Sequence, residues 1–150
     1  MSDLSSLYQE VILDHSKRPR NFRSIANADH QANGFNPLCG DKVTIYLHMD
    51  HDRIADISFQ GSGCAISTAS ASILTETLKG KTRSEAEKLF AAFHDLVTGK
   101  PAKSADGPPL GKLAVFSGVA EFPVRVKCAS LAWHTLRSAL EGSPKVASTE

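Results

Sequence analysis

Three cysteines and one aspartate are the residues of this chain best suited to chemistry. Cys39 and Asp41 are two positions apart, Cys64 follows a glycine–serine–glycine run, and Cys128 lies far downstream. An odd and small number of cysteines in a reducing compartment favours metal binding or thiol chemistry over a structural disulfide. Three thiolates and one carboxylate form a tetrahedral ligand set that suits zinc.

Backbone geometry allows the side chains of these four residues to converge on one site. In extended backbone, side chains at positions i and i+2 point the same way, so we expect Cys39 and Asp41 to face together. Cys64 lies at a strand-to-helix junction, where backbone N–H groups and the helix dipole favour a thiolate. The N-terminal half of the last helix must then bring Cys128 to the same end of the sheet.

The spacing alone also permits a purely structural interpretation. The chain has no C-x-x-C pair, because the candidate ligands come from three separate segments. The same residues are compatible with three buried cysteines that pack as small hydrophobic side chains, with Asp41 in a turn.

The first half of the chain predicts one helix and a pair of strands. Apolar residues recur at three- and four-residue steps before Pro19, which predicts an amphipathic helix. Alternation over 43–49 and over 54–59 predicts two antiparallel strands, with a bulge between Ile54 and Ile57. From Arg20 to Pro37 the chain is polar and has no sustained period, so we expect an extended connector there.

Helices dominate the second half. Small and aliphatic residues closed by Gly80 predict one helix, and a capping-box pattern at Thr82 and Glu85 starts the next. Prolines between Gly99 and Gly111 predict a surface loop, and Pro123 suits the first turn of a last helix. The predicted helices cover residues 65–79, about 82–97, 113–119 and 123 to about 141.

Length and composition indicate one ordinary globular domain. The chain has 150 residues, of which 41% are hydrophobic and 22% charged, so we expect a single domain over 1–150 with a flexible tail after about residue 142. A net charge of +1 is too small to attract nucleic acid or an anionic membrane. No apolar run reaches the roughly 18 residues of a transmembrane helix, and the N-terminus lacks the pattern of a secretory signal. We therefore expect a cytoplasmic protein without nucleic-acid or membrane partners.

Four stretches resemble the SufU-type members of the IscU/NifU-N family of iron–sulfur cluster assembly proteins. They are LYQEVILDHSKRPRN from Leu7, NPLCGD from Asn36, GSGCAISTASASIL from Gly61 and FPVRVKCASLAWHTL from Phe122. The resemblance implies an α+β fold, an IscU/SufU-like sandwich in which a small antiparallel β-sheet is packed on one side by helices. It also implies that the three cysteines lie together at one tip.

Three features favour the SufU type over the IscU type. IscU-type scaffolds have a histidine immediately before the third cysteine, where this chain has Lys127. They also carry a Pro-Pro segment just upstream, where this chain reads Glu121-Phe122-Pro123-Val124-Arg125. The loop around residues 99–118 corresponds to an insertion that resembles SufU proteins.

The resemblance implies a sulfurtransferase with one zinc ion per chain, and an iron–sulfur cluster is the less favoured cofactor. Its zinc ligands would be Cys39, Asp41, Cys64 and Cys128. Cys39 would be the catalytic sulfur acceptor, which stimulates a SufS-type cysteine desulfurase, takes its persulfide sulfur and passes it to a SufB-type assembly complex. A thiolate bound to zinc is a weaker nucleophile than a free one, so Cys39 must leave the metal before it attacks. The resemblance implies that a histidine of the desulfurase then replaces Cys39 as ligand.

Two cations near the third cysteine are candidates for a supporting role. Arg125 and Lys127 are candidates for stabilising the acceptor thiolate or docking the partner. The favoured interpretation of both is as solvated charges on the first turn of a helix, more so for Lys127.

Two other functions stay open at this point. An IscU-type iron–sulfur cluster scaffold needs the same three cysteines and would hold a coloured cluster. A module that only binds partners would use the metal structurally and would unfold when the metal is removed. We rank the structural module last, because aspartate is uncommon in purely structural zinc sites.

Overall fold

The fold is a small sheet covered by helices, seen in a computed structural model that describes residues 3–37, 40–99, 111–142 and 147–148. This confirms the predicted α+β class. In chain order the elements are α1 (Asp3–Lys17), β1 (His30–Asn36), β2 (Asp41–Asp50), β3 (Arg53–Ser62), α2 (Ala65–Leu78), α3 (Arg83–Val97), a 3₁₀ helix (Gly111–Glu121), α4 (Pro123–Glu141) and β4 (Ala147–Ser148).

The sheet has the strand order β3-β2-β1-β4. β1, β2 and β3 pair antiparallel, and the two-residue β4 pairs parallel with β1. The predicted bulge is confirmed, because His48 pairs with Asp56 and Met49 with Ile54, which leaves Ala55 as the extra residue. Alternate residues of β2 are buried, and α4 lies against β1 and β2 while α2 lies against β3. One face of the sheet therefore forms the floor of the core.

The prediction of a connector from Arg20 to Pro37 is wrong in its second half, where β1 forms. The inward positions of β1 are Ala32, Gly34 and Asn36, which carry too little apolar surface to reveal the alternation. Gly34 is required by packing, since an added Cβ would overlap the hydroxyl of Thr135 on α4. β1 is therefore a strand whose inward residues are small or polar, which hydrophobic alternation does not reveal.

The helices begin and end close to the predicted positions. The capping box is confirmed: Thr82 Oγ1 accepts from the Glu85 N–H at 3.1 Å, and Glu85 Oε1 accepts from the Thr82 N–H at 2.9 Å. α4 ends at Gly142, which has φ +70°. The short helix predicted over 113–119 is a longer 3₁₀ helix. Most of the loop predicted between Gly99 and Gly111 lies outside the described residues, as do 143–146 and 149–150 of the tail.

The core lies between the sheet and the helices. Trp133 is fully buried and stacks on Phe93 at 5.0 Å between ring centroids, and Phe116 contacts Phe93 edge-on at 5.7 Å. His15 joins α1 to α2, with Nδ1 2.7 Å from Ser72 Oγ. Among the described helices, none is both long enough and apolar enough to cross a membrane.

Candidate metal centre

One end of the sheet brings the start of β2 beside the start of α2. The strand register places Asn36 opposite Asp41 and Lys42 opposite Ser62. Cys64 follows Ser62 by two residues, so Asp41 and Cys64 meet at the same end of the sheet.

The turn into β2 is tighter than the sequence suggests. The Gly40 N–H donates to the Asn36 carbonyl at 2.8 Å, and Gly40 has φ +74°, a left-handed conformation that favours glycine. The prediction of extended backbone through Cys39, Gly40 and Asp41 is therefore wrong at Gly40. Cys39 itself lies outside the described residues, so its place among the ligands stays a prediction.

Asp41 is a fully buried carboxylate held on both oxygens. Its Oδ1 accepts a hydrogen bond from the Cys64 backbone N–H at 2.9 Å, and its Oδ2 lies 3.4 Å from Asn36 Nδ2. The backbone before Cys64 fits closely around it, since a Cβ at Gly63 would be 2.5 Å from Oδ1. Buried polar groups need such partners, and a buried carboxylate fixed in this way is well placed to serve as a metal ligand.

The two described cysteines approach Asp41 from two helices. Cys64 is the N-cap residue of α2, where its Sγ accepts from the Ser67 N–H at 3.4 Å, and it is exposed. Cys128 lies in the second turn of α4, is buried, and has Sγ 3.8 Å from Asn36 Nδ2. One thiol is therefore open to a partner while the other is enclosed.

The ligand atoms fit a zinc ion. One ligand atom from each of Asp41, Cys64 and Cys128 lies within 4.8 Å of the others. Zinc–sulfur bonds of about 2.3 Å in a tetrahedron place two sulfurs about 3.8 Å apart, so small side-chain rotations complete the geometry. Two sulfurs and one carboxylate oxygen suit zinc, and a fourth ligand would close the set.

Arg125 lies on the exposed first turn of α4. Its guanidinium carbon is 4.6 Å from the centroid of the Phe122 ring. Phe122 and Val124 are 45% and 51% exposed, so apolar surface accompanies this charge. Lys127 is half-buried. The functional roles of both cations stay predictions.

Sequence reasoning missed two residues of this centre, Asn36 and Gly63. Asn36 begins the NPLCGD stretch, but neither periodicity nor ligand chemistry in the sequence assigns its amide a place beside the metal ligands. Gly63 is one of two glycines that end β3, and only the fold shows that it faces the Asp41 carboxylate.

Comparison with known proteins identifies the family of this chain. The model of the NifU-like N-terminal domain family matches residues 7–140. The chain is 41% identical to the iron–sulfur cluster assembly scaffold protein IscU of Streptococcus pyogenes, covering 95% of this chain and 88% of the relative. It is 39% identical to the zinc-dependent sulfurtransferase SufU of Bacillus subtilis, covering 90% of each.

A solved structure shares the fold. It is a protein from Fervidobacterium islandicum described as an iron–sulfur cluster assembly scaffold for the SUF system. The TM-score is 0.82 at 39% identity, covering 90% of this chain and 97% of the other. On these matches, the chain belongs to the NifU-like N-terminal domain family.

Proposed function

We propose that the protein is a zinc-dependent sulfurtransferase that accepts persulfide sulfur from a SufS-type cysteine desulfurase and passes it on for iron–sulfur cluster assembly. The observation that carries this proposal is the meeting of Asp41, Cys64 and Cys128 at ligand spacing. The sulfurtransferase name of the Bacillus subtilis relative supports it.

The proposed zinc ligands are Cys39, Asp41, Cys64 and Cys128, with one ion per chain. When bound, zinc would stabilise the thiolate form of its cysteine ligands and lower their nucleophilicity. Asp41 and Cys128 are buried, so they suit a permanent role. We assign Cys39 as the ligand that also accepts sulfur.

Sulfur transfer follows thiol–disulfide exchange chemistry. The Cys39 thiolate attacks the outer sulfur of the desulfurase persulfide, a new sulfur–sulfur bond forms, and the desulfurase thiolate leaves. The product is a persulfide on Cys39, which a SufB-type assembly complex would accept. Arg125, with the exposed Phe122 and Val124, is our candidate for contacting the desulfurase at this end of the molecule.

The test is sulfide release by a SufS-type desulfurase with and without this protein, together with elemental analysis. We expect about one zinc per chain and strong stimulation by the wild-type protein. Cys39→Ala should abolish the stimulation, because the acceptor sulfur is lost. Ser62→Ala, a change at an exposed residue of the same sheet end, is the matched control and should stimulate fully. Full stimulation by Cys39→Ala would contradict the mechanism.

An iron–sulfur cluster scaffold is the second candidate, favoured by the name of the Streptococcus pyogenes relative. It would use the same ligands for a cluster as cargo. Incubation with iron and sulfide, followed by desalting, separates the two functions. A visible absorbance band that survives desalting, with no stimulation of the desulfurase, would favour the scaffold.

A further inference from the structure

Asn36 is a buried amide that lies between two of the proposed metal ligands. It is the last residue of β1 and is fully buried. Its Nδ2 lies 3.4 Å from Asp41 Oδ2 and 3.8 Å from Cys128 Sγ. Since Asp41 belongs to β2 and Cys128 to α4, one side chain contacts ligands from two different elements.

Chemistry explains which end of the amide faces these ligands. In the structure Nδ2 faces both ligands, and this orientation suits a metal site because carboxylate and thiolate ligands of a metal accept hydrogen bonds and cannot donate them. The NH₂ group has two hydrogens and can serve both acceptors. Hydrogen bonds to charged acceptors are the stronger kind. An amide nitrogen is not among the donors that zinc uses in proteins, so Asn36 acts beside the ligands rather than as one of them.

We propose that Asn36 is a positioning residue of the metal centre, whose amide donates to Asp41 and Cys128 together and keeps these two ligands at metal-binding spacing. The shared donor restrains the Asp41 carboxylate and the Cys128 sulfur relative to each other. The pair then stays assembled while a metal ion enters or another ligand exchanges. The inference rests on the proposed function only in taking Asp41 and Cys128 as ligands.

Backbone contacts hold Asn36 in place separately from the contacts of its side chain. The Asn36 carbonyl accepts from the Gly40 N–H at 2.8 Å, and Asn36 pairs with Asp41 in the strand register. A substitution at Asn36 therefore removes the donor while leaving the backbone contacts of the turn available. The contribution of the side chain can be measured separately from the fold.

The test compares metal affinity in Asn36→Ala with the wild-type full-length chain. Zinc affinity is measured by competition with a chromophoric chelator, and cobalt binding by its ligand-field and thiolate charge-transfer bands. Because outer-sphere partners of metal ligands are typically worth 10–100-fold in affinity, we expect a loss of about that size. The cobalt bands should keep their tetrahedral pattern, since no ligand is removed. Asn33→Ala is the matched control, because Asn33 is an exposed asparagine of β1 whose Oδ1 accepts from Thr44.

The outcomes separate this inference from the proposed function. Tight wild-type binding with an unchanged affinity in Asn36→Ala would overturn the positioning role alone. Failure of the wild-type chain to bind zinc or cobalt would overturn both. If Asn36→Ala does not fold, nuclear magnetic resonance of the metal-free wild type decides. Slower solvent exchange of the Asn36 side-chain amide than of the Asn33 amide supports the inference, and equal exchange overturns it.

Discussion

At the scale of single residues, the candidate metal ligands were predictable from their side-chain chemistry. The chain has only three cysteines, which marks Cys64 and Cys128 as candidates, and Asp41 is marked by its place two residues after a cysteine. The fold brings these three residues together. The supporting residues were not predictable. The roles of the Asn36 amide and of the absent side chain at Gly63 follow only from their contacts with the candidate ligands in the folded protein.

Gly63 provides the first prediction at this scale. In Gly63→Ala the new methyl group would lie 2.5 Å from Asp41 Oδ1, so the carboxylate must move and lose its hydrogen bond from the Cys64 N–H. We expect zinc affinity to fall by about 10–100-fold, as for other changes to groups that orient ligands. Chelator competition measures it.

Gly118→Ala is the control for this substitution, because an added Cβ there meets no atom within 4 Å. Equal zinc affinity in the two variants would show that the carboxylate position does not matter for binding.

His15 predicts a pH dependence of stability. Burial, and after it the charge of Arg20, lower the pKa of this imidazole below its ordinary value. The unfolded chain therefore takes up a proton at a higher pH than the folded chain does. The free energy of unfolding should fall as the pH drops below about 6.5, the unfolded pKa, and level off below the folded pKa.

Urea unfolding at about pH 7 and about pH 5.5 measures this effect. His15→Asn keeps a group that can bond Ser72 but does not titrate, so its loss of stability on acidification should be smaller. His134, whose pKa burial also lowers, accounts for part of the remaining slope. His48→Asn, a change at an exposed histidine, is the control, and an unaltered slope in His15→Asn would contradict the prediction.

At the scale of elements, periodicity predicted the strands and helices whose buried faces consist of apolar side chains. β2, β3 and the helices carry strong apolar patterns, and the capping residues of α3 add a local signal. β1 was missed because its inward residues are alanine, glycine and asparagine. That strand is defined by its pairing with β2 and by the approach of α4, which are tertiary effects.

The contact between β1 and α4 yields a prediction about Gly34. In Gly34→Ala the new Cβ would overlap Thr135 Oγ1 and come within 3.2 Å of Leu131 Cδ1, so α4 must shift away from the sheet. We expect a loss of about 1–3 kcal/mol in the free energy of unfolding, the usual cost of overpacking. Urea denaturation measures it.

Removing the Thr135 hydroxyl group should relieve part of this strain. We therefore expect Gly34→Ala with Thr135→Ala to be more stable than the sum of the two single changes indicates. Additive effects would show that the strand and the helix do not meet at this point.

At the scale of the whole molecule, the apolar core and the candidate metal centre occupy different places. The core extends from Ala32 to Leu140 and includes large, fully buried side chains such as Trp133 and Phe116. The metal centre lies at one end of the sheet, outside this apolar cluster. We therefore expect the fold to persist without a metal ion, unlike that of a zinc finger.

Zinc removal tests this separation. We expect the chelator-treated protein to keep its circular dichroism spectrum and to melt cooperatively at a lower temperature. Free zinc at 100 times its Kd would add about 2.7 kcal/mol to the free energy of unfolding. Complete unfolding on chelation would instead support a structural metal. Magnesium addition is the control and should not restore the melting temperature.

The wide spacing of the ligands along the chain has a consequence for synthesis. Asp41 and Cys64 leave the ribosome early, whereas Cys128 belongs to the last long helix. At about 5–20 residues per second, roughly 3–13 s pass between the synthesis of Cys64 and that of Cys128. Cys128 belongs to α4, so a nascent chain that lacks α4 offers an incomplete set of the proposed ligands, and we expect it to bind zinc more weakly than the full-length chain.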